Sequence, residues 1–142
     1  MASRRKSREL ALQMLFQWEV GQHTPGKVVA TFLPTHKADE EVKNFARRLF
    51  EGTVADIERI DQLLGRHAEN WKLERMAAVD RNVLRLAIYE MLHEPGTPKA
   101  VVINEALELA RRFSTADAVE FANGVLDAVR KSLALPAESE KS

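Results

Sequence analysis

The chain has 142 residues, 45% of them hydrophobic, which is enough for one domain to bury a core without metals or disulfides. It contains no cysteine, which excludes a disulfide framework and any thiolate-held metal. Its net charge of zero is unevenly spread: residues 1–48 carry nine basic and five acidic side chains, residues 49–142 twelve and sixteen. The two poles, +4 and −4, predict two different surfaces, one of them able to meet phosphate.

The pattern is helical from end to end, with no sustained period-two alternation. A first helix is expected from about Ser3 to Gly21, with Leu12, Leu15, Phe16 and Val20 on one stripe and Leu10, Met14 and Trp18 on the next. After a loop through Thr24, Pro25 and Gly26, a short apolar segment spans Val28–Leu33 and is ended by Pro34. Asp39 then predicts the N-cap of a long helix reaching about His67, with Phe45, Leu49, Ile57, Ile60 and Leu64 inward and Gly52 at a close approach or a bend.

Asn70 predicts a cap for a short turn, Trp71 to Met76, before a helix from about Val79 to His93 that is apolar around much of its circumference and therefore central. Glu94, Pro95 and Gly96 stop it. Thr97 with Pro98 predicts an N-cap and first helical residue, followed by Val102, Ala106, Leu109, Ala110 and Phe113 on a core face. Ser114 to Asp117 reads as a capping-box-like start for the last helix, which buries Phe121, Ala122, Val125, Leu126, Val129 and Leu133. One helical domain is thus expected over 1–135, with a flexible polar tail over 136–142.

No catalytic constellation emerges. The four histidines (His23, His36, His67 and His93) are scattered without metal-ligand spacing, and no phosphate loop or nucleophile elbow is present. The carboxylate pairs Asp56/Glu58 and Glu105/Glu108 fit solvated helix faces, and Asn104 with Glu105 fits a buried polar tie between helices. No enzyme activity, cofactor or metal is expected.

The basic cluster Arg4, Arg5, Lys6 and Arg8 is different. It sits at a helix N-terminus, where each cation costs on the order of 0.3 kcal/mol against the dipole. An anion offsets that cost, because free N–H groups, the dipole and guanidiniums all favour it. A single-stranded nucleic acid also needs stacking surfaces, for which Phe16, Trp18, Tyr89 and Phe121 are candidates.

Four stretches carry a family resemblance: Arg4-Arg5-Lys6-Ser7-Arg8-Glu9-Leu10-Ala11, Asp80 to Glu90, Val102 to Ala110, and Phe121 to Asp127. In this order, from Arg4 to about Leu133, the chain resembles the NusB family of transcription antitermination factors. The resemblance implies an all-α fold of about seven helices in two packed bundles. It implies a bacterial cytoplasmic adaptor that pairs with NusE, a ribosomal protein of the small subunit. The pair would bind single-stranded boxA RNA and join a complex on RNA polymerase that suppresses termination in ribosomal RNA operons.

Carried onto this sequence, the resemblance implies RNA contacts at Arg4, Arg5, Lys6, Arg8, Phe16, Asp117 and Phe121. Phe16 stands where relatives often have tyrosine, so stacking survives without the hydroxyl. Asp80 is implied to face the ribosomal partner, with Arg81 and Arg85 as further candidates. Tyr89-Glu90, Asn104-Glu105 and Asn123-Gly124 also match but are assigned to helix packing. Two other readings compete. A ribosomal RNA cytosine methyltransferase carries a similar N-terminal domain but needs a catalytic cysteine, absent here. A protein-binding helical module or homodimer would leave the basic segment passive.

Overall fold

The computed structural model describes residues 2–68 and 73–134. Among them lie seven α-helices: α1 (Ala2–Val20), α2 (Pro25–Phe32), α3 (Glu40–Ala55), α4 (Ile57–His67), α5 (Ala78–His93), α6 (Lys99–Phe113) and α7 (Ala116–Leu133). Short 3-10 turns occupy Leu33–Thr35 and Leu73–Arg75. No described residue is in a strand, as the absence of alternation requires. The expected cap at Asn70 and the start of the turn at Trp71 lie outside the described residues, as does the polar tail.

Helices α1, α2 and α3 pack together in the N-terminal half, and α4 to α7 in the C-terminal half. Helix α5 touches α1, α3, α4, α6 and α7 and so belongs to both bundles. Its sequence explains this position. Val83, Leu84, Leu86, Ala87 and Ile88 are each at most 2% exposed, so apolar side chains leave in nearly every direction.

On α1, Leu10, Ala11, Met14 and Leu15 are fully buried, but Phe16 is 40% and Val20 52% exposed. Residues four apart on an α-helix advance by about 40° around its axis. The ridge Leu12, Phe16, Val20 therefore rotates out of the core as it descends, correcting the expectation that all three face inward. Beyond α1 the chain turns at Gln22, the one described non-glycine residue with a left-handed φ, of 56°.

The long helix expected up to His67 is two helices. It breaks at Asp56, whose backbone leaves the helical region and whose carboxylate accepts from His93 Nε2 at 2.7 Å. Gly52 is the close approach that the sequence allowed. A Cβ there would stand 2.4 Å from the Tyr89 ring, so α3 and α5 meet at that contact. Other boundaries shift by one residue: α6 starts at Lys99 with Pro98 as its cap, and Thr115 caps α7 by accepting from the Ala118 N–H. Phe113 is 38% exposed rather than inward, and Asn104, Asn123 and Gly124 are exposed rather than packed.

Candidate nucleic-acid interface

Helix α1 has no acidic residue in its first turn, so its cations meet the positive end of the dipole unshielded by a neighbouring carboxylate in that turn. Their positions differ sharply. The Arg4 guanidinium lies over the Phe45 ring at 3.8 Å, with that of Arg48 at 4.9 Å. Arg5 is 56% exposed and donates through Nε and Nη2 to Glu105 of α6 at 3.0 and 2.8 Å. The hydrogen bond raises the Arg5 pKa and lowers that of Glu105, so both stay charged. Lys6 is 46% exposed, and its Nζ stands 4.0 Å from Glu9.

Arg8 departs from the expected exposed ridge. It is buried and donates in a fork to the equally buried Glu90 of α5, at 2.8 and 2.9 Å. Its position, four residues after Arg4, turns it from the N-terminal edge towards the central helix. There it neutralises a carboxylate that α5 would otherwise bury unpaired.

Between the start of α1 and α6 runs a cleft of about 820 Å³, lined by Arg4, Arg5, Lys6, Val101, Glu105 and Arg112, among others. Its walls carry five cations, including Arg8, against the two carboxylates Glu9 and Glu105. Arg112, in the last turn of α6, pairs with Glu9 and lies 5.4 Å from the Phe113 ring centroid. Arg112, Phe113 and Val101 were missed in the sequence. A basic residue in a last helical turn is the ordinary complement of the dipole, so nothing marked Arg112 out. Phe16 projects from the face of α1 that holds Arg5 and Glu9, about 10 Å along the axis beyond Glu9.

A second group forms where α5 and α7 begin. Asp80, Asp117 and Phe121 line one small cavity of about 190 Å³ with Arg75, Met76 and Thr115. Asp80 accepts from the Ser114 hydroxyl, which ties the α6–α7 corner to the first turn of α5. The structure thus brings together an expected partner residue and two expected RNA residues.

Arg81 and Arg85, the further partner candidates, turn inward. Arg85 donates to Asp61 of α4 at 2.8 and 2.9 Å and to Glu19 of α1 at 2.6 Å. Arg81 donates to Glu19 and to the carbonyls of Leu73 and Met76. Both side chains are at most 12% exposed. There they neutralise Glu19 and Asp61, and so join α5 to α1 and α4. Burial pushes the Glu19 carboxyl up, and the hydrogen bonds and charges of Arg81 and Arg85 outweigh it, holding its pKa below the ordinary value.

Among the described residues no group of histidines and carboxylates could hold a metal, and no helix is long and apolar enough to cross a membrane. Fold and site together define a small all-α protein organised around a cationic cleft. Comparison with known proteins gives that class its family. The NusB family model matches residues 5–131. Transcription antitermination protein NusB of Koribacter versatilis is 54% identical over 132 residues, covering 92% of this chain and 90% of that protein. The Solibacter usitatus protein of the same name is 48% identical over 138 residues, covering 96% and 94%.

The fold agrees. A T. maritima NusB structure superposes with a TM-score of 0.84 at 38% identity, covering 98% of this chain and 97% of that one. A NusB chain crystallised with NusE and double-stranded RNA gives 0.84 at 26% identity, covering 93% and 98%. The chain belongs to the NusB family of transcription antitermination proteins, which are not enzymes.

Proposed function

We propose that this protein is a cytoplasmic RNA-binding adaptor that pairs with NusE, holds boxA RNA and joins an RNA polymerase complex suppressing termination in ribosomal RNA operons. The observation that carries this reading is the α1–α6 cleft, where four exposed cations, Arg4, Arg5, Lys6 and Arg112, stand against two carboxylates at the start of α1. Arg4, Arg5, Lys6 and Arg112 supply phosphate contacts, and exposed Phe16 and Phe113 offer faces for bases to stack on. Arg8 serves the site from beneath, by fixing α1 against α5. The α5–α7 cavity with Asp80, Asp117 and Phe121 extends the surface towards the protein partner.

The family relation supports the partner assignment, since a related NusB chain was crystallised with NusE and RNA. The test is fluorescence anisotropy on single-stranded boxA-like RNA, with and without NusE. Weak binding alone, tighter binding with NusE and affinity falling with salt are expected. Each phosphate neutralised adds roughly 0.7 to the log–log salt slope on a single strand. Replacing Arg4, Arg5 and Lys6 with alanine should flatten that slope by about two. An unchanged slope and affinity would sink the cleft assignment. For the partner surface, Asp80→Lys should weaken NusE pairing with little change in melting temperature, and unaltered pairing removes Asp80.

A further inference from the structure

Most of the exposed cations of the α1–α6 cleft are already held by carboxylates of the same chain. Arg5 presents two N–H groups side by side to Glu105, at 3.0 and 2.8 Å. That is the fork by which a guanidinium also grips a phosphate. Glu9 takes Arg112 and stands 4.0 Å from Lys6. The two acids are well sheltered, with side-chain exposures of 16% for Glu105 and 9% for Glu9. Arg5, Lys6 and Arg112, which they hold, are open to solvent at 46–63%. Arg4 alone of the exposed α1 cations has no carboxylate partner among the described residues, only the Phe45 ring.

We propose that Glu105 and Glu9 are specificity-determining residues of the cleft: they occupy the phosphate positions of the free protein, and an incoming RNA strand must displace them. The inference rests on the RNA reading above. An isolated anion that displaces one of these carboxylates exchanges like for like and gains little. A strand gains because Arg4 is free to take a first phosphate, and tethering then raises the effective concentration of the next ones at Arg5, Lys6 and Arg112. The internal acids thus select a polyanion of suitable spacing over single anions. Glu105 is the sharper case, because its fork with Arg5 bridges α1 and α6 across the cleft, and it also lies 3.7 Å from Arg8.

The experiment measures affinity of the full chain for single-stranded boxA-like RNA at low salt. It compares wild type, Glu105→Gln, Glu105→Asp and Glu108→Gln, the first two with and without Arg5→Ala. Glu105→Gln is expected to bind roughly three- to tenfold tighter, the scale of removing one charge beside a phosphate in a water-rich cleft. Glu105→Asp keeps the charge but withdraws it by one methylene, and should tighten binding to a smaller degree. Glu108→Gln removes the same charge one turn along α6, where it pairs with Arg111, and should gain less than about twofold.

Arg5→Ala should weaken binding about two- to threefold in wild type, where the strand must first win the guanidinium from Glu105. It should cost about fivefold or more in the Glu105→Gln background. Weaker or unchanged binding by both Glu105 variants overturns the proposal, as does an equal gain from Glu108→Gln or an equal cost of Arg5→Ala in both backgrounds. Failure of every variant to bind RNA overturns the RNA reading and this inference together. Wild-type binding without the stated differences overturns this inference alone.

Discussion

Arg5 and Arg8 stand three residues apart on one helix, and each grips a carboxylate in a two-pronged fork, yet their energetics differ. Arg5 and its partner meet water, so the pair contributes little to stability. Arg8 and Glu90 are 5% and 2% exposed, and removing one leaves the other buried and unpaired. Arg8→Ala should therefore lower the unfolding free energy by about 3–5 kcal/mol in urea titration, while Arg5→Ala leaves the urea midpoint nearly unchanged. The sequence marked the cluster Arg4 to Arg8 as a unit. It could not separate Arg8 from the rest, because the separation depends on which side of α1 meets α5. Tyr89 gives a second prediction at this scale. Burial, with Glu94 as its hydrogen-bond acceptor, pushes its phenol up to about 12. As the chain has a single tyrosine, phenolate absorbance reports Tyr89 alone, with a midpoint near that value when folded and near 10.0 when unfolded. The raised pKa means that its share of stability is full below pH 10.0 and is lost as pH rises towards 12.

Elements were legible where apolar spacing was dense and opaque where a polar contact decided the outcome. The all-helical pattern and the central place of α5 followed from periodicity. The break between α3 and α4 did not, because it turns on Asp56, whose carboxylate serves His93 instead of capping α4. Nor did the inward turn of Arg81 and Arg85, which join α1, α4 and α5 through Glu19 and Asp61. In the candidate site, the cations of α1 could be read directly, whereas the carboxylate that holds Arg5 came from α6, a hundred residues away. Two predictions belong to these junctions. Gly52→Ala places a methyl group into the Tyr89 ring and should destabilise by about 1–3 kcal/mol, measured by denaturant titration. The Glu19 carboxyl, held below its ordinary value, contributes stability above about pH 4.5 that is lost as pH falls through its folded pKa. Glu19→Gln should accordingly show a shallower fall of stability on acidification, and an equal slope would discount the Glu19 junction as a source of acid sensitivity.

At the scale of the whole molecule, the charge split that looked like a weak imbalance corresponds to an N-terminal helix that places its cations along one edge of the fold. The cationic cleft is built from the first and sixth helices, so its geometry depends on both bundles keeping their relation. Helix α5 fixes that relation by contact with α1 on one side and α6 on the other. Substitutions that loosen α5 should weaken RNA binding and stability together, whereas changes at Arg4, Arg5 or Lys6 should affect RNA binding alone. Measuring both quantities for Arg8→Ala and for the triple alanine variant separates the two classes.

The shared helix also orders events during synthesis. The ribosome releases α1 to α4 first, before residues 78–93, against which α1, α3 and α4 pack, have emerged. Until that helix emerges, the N-terminal half carries an apolar face with nothing to cover it, a target for chaperones and proteases. Nascent chains stalled before α5 should be cut readily in pulse proteolysis, and those that have exposed α5 should gain protection in one step. A gradual gain would mean that the N-terminal half matures without its central helix.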